Sequence, residues 1–129
     1  MKKAAEMLID GIWSKIDLNL TYRTPSGSRE FLVLDKTDSL LKVLAGGTEV
    51  RVARESFVDA VQYLLRNGHG ENNRCEIRSA NADSDSGPLC LAAKRANSGV
   101  RCITYILPVL AGAGVVEIDA TRPSSTWVL

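Results

Sequence analysis

Between residues 16 and 68, apolar and polar side chains alternate in four short runs separated by minimal turn signals. The last run feeds a segment with helical spacing. Leu18, Leu20 and Tyr22 alternate with Asp17, Asn19, Thr21 and Arg23. That two-residue period sends one set to each face of a strand. Pro25-Ser26-Gly27-Ser28 carries the residues that turns demand. Phe31–Leu34 predicts the next strand, Lys36–Ser39 a turn, and Leu40–Leu44 the third strand. Gly46-Gly47 signals a hairpin into Thr48–Val52. Over 55–66, Phe57, Val58, Ala60, Val61, Leu64 and Leu65 form a broad apolar stripe. Glu55 and Asp59 lie early, Arg66 late, and Asn67-Gly68 supplies the stop.

Either side of this block the spacing is helical. Ala5, Leu8, Ile9, Ile12 and Trp13 share one stripe within 3–15, which predicts a first amphipathic helix weakened at Gly11. Residues 67–87 are rich in Asn, Asp, Ser and Gly and are expected to be loops, with a brief strand at Cys75–Arg78. Residues 88–97 predict a helix with Ser86 as its cap and Pro88 in its first turn. Residues 100–112 fit either period. The stripe Ile103, Ile106, Leu107, Leu110 favours a helix over 102–111 despite Pro108. Val115–Ile118 and Ser125–Val128 are expected to pair as a hairpin.

The fold class expected is therefore α+β, in two parts packed as one compact unit. Residues 1–70 hold a helix, a curled four-stranded antiparallel sheet and a closing helix. The four-strand meander resembles an SH3-like small barrel. Residues 71–129 hold helix, turn, helix and hairpin, an order that resembles a winged helix-turn-helix. The resemblance implies a recognition helix showing Arg101, Thr104 and Tyr105, and a wing tip showing Thr121 and Arg122. Lys94 and Arg95 would approach phosphates.

Composition narrows the function classes. The chain has 129 residues, 45% apolar and 24% charged, enough for one core without staples. Its net charge of +1 gives no global attraction to polyanions, so any such contact needs a local patch. Ten of the sixteen cations are Arg, the residue suited to forked phosphate contacts. The three cysteines form no close pair, which fits a reducing cytosol. Glu6 and Asp10 interrupt the segment after Met1-Lys2-Lys3, so no secretory signal is expected there. No apolar run approaches the ~20 residues a membrane helix needs, and no membrane partner is expected.

Catalytic and metal patterns are incomplete. His69-Gly70-Glu71 matches the H-x-E of zinc deaminases, but Cys90 has no second Cys at the required spacing. Asn81-x-Asp83-x-Asp85 resembles the start of a calcium loop, yet Gly87 falls one place late and the twelfth position is Ala92. A cysteine nucleophile needs a base, and His69 is the sole histidine. Glu49-Val50-Arg51 and Glu76-Ile77-Arg78 approximate a nuclease half-site, with Arg in place of Lys. No cofactor, metal site or catalytic residue is expected. The sequence points to a small cytoplasmic, non-enzymatic module that binds nucleic acid, DNA first. Lys94, Arg95, Arg101, Thr104 and Arg122 are the candidate contacts. The alternative is a protein–protein adaptor using exposed strand edges.

Overall fold

The computed structural model describes residues 1–129. It begins with helix α1 (Lys2–Trp13), which buries Ala5, Ile9 and Trp13 on one stripe. Four strands follow: β1 (Thr21–Arg23), β2 (Glu30–Lys36), β3 (Leu40–Ala45) and β4 (Thr48–Ala53). They form an antiparallel meander in the order β1-β2-β3-β4. The sheet is open, because β1 pairs only with β2 and β4 only with β3. Its inner face carries Phe31, Val33, Leu41, Val43 and Val52, all buried. A bulge between Val33 and Asp35 bends β2 and curls the sheet.

The first strand is shorter than the alternation predicts. Asn19 adopts a left-handed backbone with φ of 64° and interrupts the run. Leu18 and Leu20 consequently stay 47% and 43% exposed.

Helix α2 (Arg54–Arg66) begins directly after β4. Phe57, Val58, Ala60, Val61 and Leu64 are buried, as the stripe requires. Gly68, at φ 63°, reverses the chain, and the His69 N–H returns to the Leu64 carbonyl at 3.0 Å. Trp13 meets Phe57 edge to face at 5.2 Å, and its indole N–H donates to the Thr37 carbonyl at 2.8 Å. These contacts tie α1, the sheet and α2 together.

The remaining elements are β5 (Cys75–Glu76), a 3-10 turn at Asp83–Asp85, α3 (Pro88–Arg95), α4 (Ile103–Gly112), β6 (Val116–Asp119) and β7 (Ser125–Val128). The expected hairpin gains β5 as a third strand, giving the order β5-β7-β6. Ser86 does not cap α3. Its hydroxyl donates instead toward the Ala80 and Ala82 carbonyls, and Gly87 holds the cap position. Gly87 is needed there, because a Cβ would lie 2.8 Å from Arg78 Cβ.

Helix α4 carries Pro108 in its interior. An interior proline costs about 3 kcal/mol. Burial of Ile103, Ile106, Leu107, Val109 and Leu110 contributes roughly 10 kcal/mol, so packing wins. One cluster of 26 buried residues runs from Ala5 through both sheets' helices to Val116. No helix is long and apolar enough to cross a membrane.

Candidate functional site

A cleft of about 680 Å³ lies where three distant segments meet. One wall is the β1–β2 turn, Thr24–Glu30. The second is the entry and first turn of α4, with Arg101, Thr104 and Tyr105. The third is the strip around Ile77, Ser79 and Ser124.

The β1–β2 turn is held by its own polar groups. The Thr24 N–H donates to the Arg29 carbonyl at 2.9 Å, and Gly27, at φ 75°, donates to the Thr24 carbonyl at 2.7 Å. Arg23 braces the turn from behind, donating to the Gly27 carbonyl and pairing with Glu30 at 3.1 Å. The one carboxylate lining the cleft is therefore already engaged by Arg23. Arg29 and Arg101 line the same cleft and take part in none of the ion pairs. Their charges are not neutralised by a protein carboxylate.

The α4 wall is fixed by Asn97. Its side-chain oxygen accepts from the Ala53 N–H at 2.9 Å, and its amide donates to the Val100 carbonyl at 3.3 Å. This clamps the α3–α4 connection to the β4 edge and sets where Arg101 emerges. At the start of α4, Cys102 supplies no side-chain cap. The Tyr105 and Ile106 N–H groups return to the Cys102 carbonyl, whereas those of Ile103 and Thr104 have no acceptor. Pro108 has no N–H, so the Thr104 carbonyl also lacks its donor four residues on. Tyr105 packs edge to face on buried Phe31 at 5.2 Å, and Phe31 stacks on Tyr22 at 5.6 Å. Burial, and to a lesser degree Asp17, raises the Tyr22 phenol above its ordinary pKa.

The five residues singled out in the sequence have different fates. Arg101 and Thr104 come together in the cleft. Lys94 does not reach solvent. It is 2% exposed, and its ammonium donates to the Asn81 carbonyl and Ser86 Oγ at 2.9 Å and to Asp83 at 3.2 Å. A buried ammonium must be satisfied this way, so its charge serves the 81–86 loop. Arg95 is exposed at the end of α3, on the side facing Asp59. Burial, then Glu55, raises the Asp59 carboxyl, while Lys2 and Arg95 pull it down. Arg122 is exposed in the β6–β7 turn and does not line the cleft.

Arg29 was not legible as a partner of Arg101. Its position at a turn exit is a local signal, but nothing local says which element it faces.

The weaker chemical patterns resolve into structural roles. Cys75, Cys90 and Cys102 are buried free thiols. Burial, then Glu76, raises Cys75 to about 11, and burial dominates in raising Cys102 to about 12. Such thiols are poor nucleophiles. His69 shares a hydrogen bond between Nδ1 and the Asn73 carbonyl at 2.8 Å and stacks on Tyr63 at 5.9 Å. Arg74 lies 4.0 Å over the Trp127 ring and pairs with Asp119 at 2.8 Å, closing the second sheet. No group of three His, Cys, Asp or Glu side chains is arranged to hold a metal.

The cleft thus combines two free guanidinium groups, an uncapped N–H at Thr104, several hydroxyls and an anchored aromatic ring. Chemically it suits an anionic group attached to something flat and polar. No family model, curated protein or solved structure matches the chain.

Proposed function

We propose that this chain is a small nucleic-acid-binding module, with DNA as its first target, acting as an accessory or regulatory factor without catalysis. The observation that carries the reading is the pairing of Arg101 with Arg29 in a cleft whose only carboxylate is already held by Arg23. Arg is the cation that best matches phosphate geometry. Thr104 supplies a hydroxyl and a backbone donor beside it. The helix–turn–helix–hairpin order of residues 88–129 supports a winged-helix-like use of the α4 entry, and Arg122 would touch the backbone from the hairpin turn. The curled meander, SH3-like in strand order, supplies the facing wall. Burial of α4 restricts this use to its first turn, because its middle is covered by core side chains. Three free cysteines fit a cytoplasmic setting.

Fluorescence anisotropy with labelled oligonucleotides tests the proposal. Two or three phosphate contacts predict that affinity for duplex DNA falls roughly ten- to fortyfold between 50 and 200 mM salt. Arg29→Gln and Arg101→Gln should each weaken binding and flatten that slope. Absence of binding at low salt, or a flat profile, overturns it.

The adaptor reading has one specific observation behind it. The outer edge of β4 is unpaired along Glu49 and Arg51, beside a groove that includes Leu40, Val50 and Val100. Salt-insensitive capture of an extended peptide would favour it.

A further inference from the structure

We infer that the cleft receives a single unpaired nucleotide, its base against Tyr105 and its phosphate between Arg29, Arg101 and the start of α4. This rests on the nucleic-acid reading above and narrows it from nucleic acid in general to an unpaired unit.

Four observations converge. The first is shape. A concavity of about 680 Å³ falls within the range of small-ligand sites. It is walled on one side by the Thr24–Glu30 turn, so α4 does not stand proud as a helix entering a major groove would. The second is the aromatic. Tyr105 is half-buried, wedged edge to face against Phe31, and borders the cleft. Its ring is ordered before any ligand arrives, so stacking costs little further immobilisation. Stacking on such a platform requires a base that has left its own stack.

The third observation concerns the phosphate. Arg29 and Arg101 carry unneutralised charge, and Thr104, on the same wall at the start of α4, has an N–H with no cap. Guanidinium groups and helix-start N–H groups acting together form a phosphate cradle. The fourth is the third wall. Ser79 and Ser124 lie on that wall. Hydroxyls both donate and accept, which suits the mixed edges of a base or a sugar.

One nucleotide can come from a strand end, a single-stranded stretch or a base extruded from a duplex. All three share the same chemistry, and the experiment separates them. Labelled oligonucleotides of about a dozen nucleotides are compared as single strand, as 5′-phosphorylated single strand, as fully paired duplex and as duplex with one central mismatch. Unlabelled deoxynucleoside monophosphate competes. The single strand is expected to bind at least about fivefold tighter than the paired duplex. A preference for the 5′-phosphorylated strand would identify the strand end, and tighter binding of the mismatched duplex an extruded base. The monophosphate should displace the strand and shift the amide NMR signals of Arg29, Arg101 and Tyr105.

Tyr105→Leu should lower single-strand affinity at least about fivefold, while Tyr105→Phe retains it. If Tyr105→Leu does not fold, the competition and the NMR shifts still decide. Equal affinity for strand and paired duplex, with no competition by the monophosphate, overturns the nucleotide inference and leaves the general reading standing. Failure of every oligonucleotide to bind overturns both.

Discussion

Lys94 and Arg101 stand seven positions apart on the two sides of one loop, and the fold uses their charges in opposite ways. Lys94 points inward and spends its ammonium on the Asn81 carbonyl, Ser86 and Asp83. Arg101 emerges into a cleft with no carboxylate partner. A cation in a helix–turn–helix pattern is thus not yet a cation available to a ligand. What decides is whether uncapped carbonyls lie within reach. The 81–86 loop offers Lys94 a carbonyl, a hydroxyl and a carboxylate, whereas Arg101 makes no ion pair.

This contrast can be broken most directly by stability measurements. Lys94→Met leaves the Asn81 carbonyl and Ser86 hydroxyl without their shared donor and should destabilise the protein by about 3 kcal/mol in urea unfolding. Arg101→Gln should change stability by less than about 0.5 kcal/mol. A reversed order would mean that Arg101 is the structural residue and Lys94 the free one.

The Asn97 clamp sharpens the comparison, because it positions the loop between the two cations. Asn97→Ala strands the half-buried Ala53 N–H and should cost about 1–2 kcal/mol. Oligonucleotide affinity should fall as well, since Arg101 loses its fixed exit from the loop. Unchanged affinity with reduced stability would show that Arg101 needs no positioning.

The smallest effect concerns a pair far from the cleft. The Asp119 carboxyl is held below its ordinary pKa, first by the Thr121 N–H and hydroxyl, then by Arg74. The charged form is the one favoured by folding, so this contribution is present above the ordinary carboxylate range. It is lost as pH falls through the lowered folded value. An NMR titration should give Asp119 a midpoint below that of a free aspartate. Arg74→Gln should move it back only in part, because Thr121 contributes more. A midpoint at the ordinary value would remove this second example of a spent charge.

Much of the architecture was legible because its signals are local. The stripe over 55–66 became α2 within one residue at its start, and Gly46-Gly47 produced the β3–β4 hairpin. Even the helical spacing around Pro108 outweighed the proline, since the missing bond is only one among many core contacts. The departures have equally definite causes. The first strand shortens because Asn19 turns left-handed, and Ser86 leaves its capping role because Lys94 and the 80–82 carbonyls claim its hydroxyl.

The periods of two and 3.6 residues, the turn dipeptides and the balanced charge belong to the chain itself. They determined the elements, the four-strand meander and the need for a local patch in any polyanion contact. Which cations remained free was settled only in three dimensions. Arg29, Ser79 and Arg101 are far apart along the chain, and periodicity carries no information over that distance. Their meeting depends on how the core brings α4 against the β1–β2 turn, and the burial of Lys94 depends on acceptors that another loop supplies.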